Sequence, residues 1–106
     1  MPQNEKFMYP ENMPPELPFP TEKIHMPGLS ELYNTPIRTL QRTFQRLNMQ
    51  EATGKKEGHY YTPLQQLIIF TVYMPPSKYY KSFLWLEKHG YIKELIEEYG
   101  LEKYRH

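Results

Sequence analysis

Arg38, Arg42 and Arg46 fall at i, i+4 and i+8 in the segment PIRTLQRTFQRLNM, with Gln41 and Gln45 beside them and no acid interrupting the run. On a helix this spacing places three guanidinium groups and two carboxamides on one face, each about a turn from the next. Guanidinium pairs with phosphate or carboxylate, and Arg and Gln are the side chains that fork onto guanine and adenine edges. The chemistry of such a face is anion recognition, with nucleic acid, an acidic protein or plain water as its surroundings. A net charge of +1 gives no general basicity that would decide among them.

Other chemistry-bearing residues do not assemble in the sequence. His25, His59, His89 and His106 stand in unrelated segments, with neither an i, i+4 pair nor an H-E-x-x-H pattern to hold a metal. Glu97 and Glu98 are neighbours on a charged helix face, which suits solvation better than acid/base work. There is no cysteine, no G-x-S-x-G and no glycine-rich phosphate cradle. The expectation is a non-enzyme, with no catalytic residue, no cofactor and no metal.

The elements that would carry the arginine face are legible from start signals and periodicity. Thr35 reads as an N-cap and Pro36 as the first helical residue, with Ile37, Leu40, Phe44 and Leu47 forming an apolar stripe that ends near Asn48. Residues 50–61 hold Gly54 and Gly58 around Lys55 and Lys56, and predict a solvated loop or a short two-stranded tongue. Thr62 and Pro63 repeat the start signal, and Leu64, Leu67, Ile68, Ile69, Phe70 and Val72 follow with apolar residues nearly all round, as in a buried central helix. Pro75 and Pro76 stop it. Ser77 can cap a further helix reaching His89 and Gly90, and a last helix over 91–99 turns Ile92, Leu95, Ile96 and Tyr99 inward before Gly100. The fold class expected is mainly α: four to five short helices, with any β confined to the tongue.

The order short helix, PIRTLQRTFQRLNM, EGHYY, TPLQQLIIF resembles, over residues 29–70, the winged helix-turn-helix of MerR-like and excisionase-like regulators. That resemblance implies DNA binding, with Arg38, Arg42 and Arg46 on the groove-facing side of a recognition helix and Lys55, Lys56 and His59 on a wing.

The first 27 residues point elsewhere. They hold seven of the eleven prolines, which break any helix or ladder, so residues 1–27 read as an extended arm and residues 28–106 as a small helical domain, with Leu29, Leu32 and Tyr33 inward in its first turns. The arm must lie along a surface, its own domain's or a partner's. Phe7, Met8, Met13, Leu17, Phe19, Ile24 and Met26 are its candidate contacts, without the periodicity of a core. The pairs Tyr60/Tyr61 and Tyr79/Tyr80, with Phe83 and Trp85, exceed what one small core can bury and read as half core, half interface. Residues 1–34 carry five Glu against Lys6 and Lys23, an acidic balance that would oppose approach to phosphates.

Two functions therefore stand side by side: an accessory subunit that docks other proteins of a larger assembly through its arm and aromatic surface, ranked first, and a winged-helix DNA-binding protein using the Arg38/Arg42/Arg46 helix. The start lacks an apolar signal core and the arginines of a presequence, so no cleavable targeting segment is expected. The longest apolar-leaning run, residues 67–74, falls far short of the roughly 20 residues that span a bilayer. An intracellular chain, in an organelle such as the mitochondrion or in a virion, fits these features.

Overall fold

A computed structural model describes residues 9–56 and 58–105. Within them six helices, α1 (Met26–Tyr33), α2 (Ile37–Arg46), α3 (Met49–Thr53), α4 (Pro63–Val72), α5 (Tyr80–Lys88) and α6 (Tyr91–Tyr99), surround one core, with a two-stranded antiparallel sheet of β1 (Ile24–His25) and β2 (Tyr60–Tyr61). The chain is mainly helical, as its periodicity requires.

Helix α4 is the centre. Every residue from Leu64 to Val72 is buried, so its apolar circumference is matched by neighbours on all sides. Its start is a capping box: the Thr62 hydroxyl accepts from Gln65 N, and Gln65 Oε1 accepts from Thr62 N at 2.9 Å. The two buried glutamines of this helix bind outward. Gln65 Nε2 donates to the carbonyls of Thr53 and Lys55, and Gln66 Nε2 donates to those of Glu22 and Tyr61. Thus α4 holds the exit of α3, the strand β2 and the N-terminal segment by hydrogen bonds as well as by packing.

The first Thr-Pro start behaves differently. Thr35 does not cap α2: its hydroxyl donates to Tyr33 O, and Pro36 is the residue that precedes the helix, with no side-chain cap. Three residues after Thr62 stands Gln65, which returns a bond to the cap; three after Thr35 stands Arg38, which has no acceptor to offer. Buried Leu40, Phe44 and Leu47 still set the inner face of α2.

Residues 50–61 are not a hairpin. Asn48, in the left-handed region at φ 57°, turns the chain directly from α2 into α3, where Met49, Ala52 and Thr53 are buried. The strand that follows pairs upstream, Tyr61 with Ile24 and Tyr60 with His25. A five-residue helix is too short to show a period, which is why composition alone made it a loop.

The arm also departs from a purely extended path. Two turns close on Met13 N to Pro10 O and Leu17 N to Pro14 O, and α1 starts at Met26, inside the expected arm. His25 Nδ1 accepts from Gly28 N and caps α1, while Pro27 occupies its first turn, where a missing N–H costs nothing. Gly28 packs closely: a Cβ there would meet Ile24 Cγ1 at 2.6 Å, so a larger residue would have to displace the Ile24 side chain.

At the other end, Ser77 does not cap through its side chain; a 3-10 turn over Ser77–Tyr79 leads into α5. Gly90 and Gly100, both at positive φ, separate α5, α6 and a final 3-10 turn, Leu101–Tyr104, whose Leu101 and Tyr104 are buried. Tyr104 donates to Glu51 Oε1 at 2.7 Å, joining this end to α3.

Candidate functional site

Two surface features carry the residues that the sequence singles out. The first begins on α2. With Leu40 and Phe44 turned inward, the 100° step of the helix leaves Arg38, Gln41, Arg42, Gln45 and Arg46 exposed together, and none of the three guanidinium groups makes an ion pair among the described residues. Beside this face a cleft of about 450 Å³ opens between α2, α3 and β2. Its floor is Phe44, Met49 and Tyr61, and Gln41, Gln45 and Gln50 stand around it. Lys56 completes the rim, its Nζ 5.1 Å from the centroid of the Tyr61 ring. No carboxylate of the described residues lines it. Lys55 stands aside in a neighbouring hollow with Glu51, its carbonyl held by Gln65.

The second feature is apolar. Leu17 and Pro18 of the arm face Met74, Pro75 and Tyr80 across a groove of about 590 Å³, with Glu16, Lys78 and Lys81 at its edges. Met74 is 49% and Tyr80 52% exposed, and Leu84, one turn beyond Tyr80 on α5, is 41% exposed. Tyr33 donates to Met74 O at 2.6 Å, and burial together with the nearby Tyr73 phenol pushes the Tyr33 pKa far up, so this donor keeps its proton and holds the Met74 backbone in place.

Compared with known proteins, the chain matches no family model, no curated protein and no solved structure. The geometry alone must carry the functional reading.

Most of the described arm contacts lie on the chain's own domain. Met13, Phe19, Ile24 and Met26 are half-buried against the core, and Leu17 lines the apolar groove. The Ser82 hydroxyl donates to Pro18 O at 2.6 Å, and Tyr9 packs its ring at a 33° tilt against Phe19 while donating to Pro20 O. Burial raises the Tyr9 pKa as well, followed by its neighbour Tyr79. Phe7 and Met8 lie outside the described residues.

The tyrosine pairs divide as strand and helix geometry demands. Tyr61 and Tyr79 are buried while Tyr60 and Tyr80 are 40% and 52% exposed. Among the histidines, His25 stacks on Tyr60 as well as capping α1, His89 stacks on Trp85, and His59 is exposed. No group of three His, Cys, Asp or Glu among the described residues could hold a metal ion, and no described helix is long and apolar enough to cross a membrane. Met74 and Leu84 were not singled out by the sequence. The signal for Leu84 is its i, i+4 spacing from Tyr80, off the face of α5 that Phe83 buries; Met74 gave none, because it closes an apolar run and looks like core.

Proposed function

We propose that this chain is a non-enzymatic accessory subunit that docks to another protein through the groove formed by its arm and α5. The observation that carries this reading is the cluster Met74, Tyr80 and Leu84, three large apolar side chains held exposed beside a groove that the arm's Leu17 and Pro18 complete. Charge selects the partner's chemistry: Lys78 and Lys81 against the single Glu16 favour an apolar segment flanked by carboxylates. The arm then serves its partner by building one wall of the site, while its own apolar side chains stay on the domain.

The test is cross-linking of the tagged full-length chain in its source cells, read by mass spectrometry. Links from Lys78 or Lys81 to an acidic, apolar stretch of one protein in fixed stoichiometry are expected. Changing both Met74 and Tyr80 to Glu should abolish those links and leave the melting temperature within a few degrees, since both side chains are already half in water. A chain recovered only as a 12.9 kDa monomer, or links untouched by the double change, would overturn the proposal.

A further inference from the structure

The cleft beside α2 shares no residue with the docking groove, and its chemistry is of another kind. Its floor is aromatic and apolar, Tyr61 and Phe44 meeting edge to face at 6.4 Å. Its walls are carboxamides, which offer both donors and acceptors. Lys56 supplies a cation on its rim, and the exposed Arg42 and Arg46 stand outside the lining, about 100° round the helix from Gln41 and Gln45. A carboxylate-rich peptide would need only the cations. A nucleotide uses all three: a flat apolar base, an edge bearing donors and acceptors, and a phosphate.

A second aromatic feature lies outside the cleft. On the opposite face of the two-stranded sheet from Tyr61, which lines the cleft, the rings of His25 and Tyr60 stack at 5.6 Å and 9° between planes. Lys23 Nζ lies 5.6 Å from the centroid of the Tyr60 ring. Tyr60 is 40% exposed, so a ring with a cation beside it stands one residue along β2 from the cleft floor, on the other face of the sheet. Glu51, beside the cleft-lining Gln50 on α3, is engaged by Tyr104, Asn48 and Lys103. The arm's described carboxylates line none of it.

We infer that the cleft between α2, α3 and β2 binds single-stranded nucleic acid, seating one base between the carboxamides with its phosphates on Arg42, Arg46 and Lys56. A duplex keeps its bases stacked and cannot turn one into the cleft, so the preference is for unpaired strands.

The experiment measures fluorescence anisotropy of a labelled 12-nucleotide RNA with the full-length chain, against the same sequence as single-stranded DNA, as duplex, as uridine monophosphate and as a poly-glutamate peptide. Single strands should bind with a dissociation constant on the order of 10 µM, and three phosphate contacts set a slope of about −2 for log K against log salt. Changing Arg42 and Arg46 together to Gln, which keeps the helix and its packing, should weaken binding roughly tenfold and bring the slope to about −0.7. Changing Gln41 and Gln45 to Ala should weaken binding with the slope unchanged, which a purely ionic surface would not show. Duplex or poly-glutamate bound as tightly as the strand, the mononucleotide bound as tightly as the 12-mer, or no strand binding at 100 µM would each overturn the inference. RNA favoured over DNA, or the two bound alike, both support it and report whether the 2′-hydroxyl is read.

Discussion

Gln65 and Gln66 sit in the most apolar stretch of the chain, LQQLIIF, where the sequence pattern gave them no role beyond interrupting a hydrophobic run. Their carboxamides turn out to bind carbonyls of Thr53, Lys55, Glu22 and Tyr61, some of them far away along the chain. A buried amide is retained only if its donors are used, so their presence in a buried helix signalled partners without saying which. Glu51 makes a similar long-range bond, to Tyr104, but at the surface. Hydrogen bonds from Tyr104 and then Asn48, followed by the charge of Lys103, hold its pKa below the ordinary carboxylate value, and the same bond raises that of Tyr104. A carboxylate depressed on folding contributes stability above its unfolded pKa and loses it as pH falls through the folded one. The raised phenol contributes below its unfolded pKa and loses that contribution as pH rises through its folded one. The C-terminal turn should therefore be docked at neutral pH and loosen below about pH 4 and above about pH 10. The Tyr104 ring resonances in NMR would report this, and Glu51→Gln should remove the acid limb; chemical shifts that ignore pH over that range would show that the bond does not hold the turn.

The two Thr-Pro starts let the same dipeptide be compared in two settings. Both precede helices of ten residues, yet only Thr62 finds a reciprocating Gln three positions on. Thr62→Ala should therefore destabilise the fold by about 1–2 kcal/mol, the usual value for a lost cap, whereas Thr35→Ala should cost well under half of that. Equal losses in paired urea titrations would contradict the distinction. Elements whose signals are local were legible throughout: α6 spans 91–99 as its apolar stripe requires, and α4 follows its cap. Elements that depend on distant partners were not. β1 exists because β2 is there to pair with it, α3 is held by burial of Met49, Ala52 and Thr53, and neither leaves a period to read. The candidate sites divide the same way. The arginine face was legible from spacing, but the cleft beside it needs Tyr61 and Lys56 brought in from beyond α3.

Across the whole molecule the charge gradient takes on a spatial meaning. The acidic N-terminal third carries Glu16 to the apolar groove and Glu22 to the flank of α4, while the cleft beside α2 carries Lys56 and none of the arm's described carboxylates. The chain thus lays its acidic arm along α4 and α5, which it reaches through Gln66 and Ser82, and not on the arginines of α2. That wrapping uses the arm's own apolar side chains. Phe19, Met13 and Ile24 pack against the core, Pro20 is buried, and Ser82 and Gln66 each hold an arm carbonyl. An arm that served only a partner could be removed without loss; this one should not be. Deleting residues 2–23 strips partial burial from about three large apolar side chains, worth roughly 1 kcal/mol each, and leaves the Ser82 hydroxyl and the Gln66 amide without their carbonyls. In a domain of this size such a loss should lower the melting temperature by more than about 10 °C. Phe19→Ala alone, which leaves the backbone bonds in place, should account for only a minor part. A truncated chain that melts where the full chain does would show that the arm rests on the domain without stabilising it.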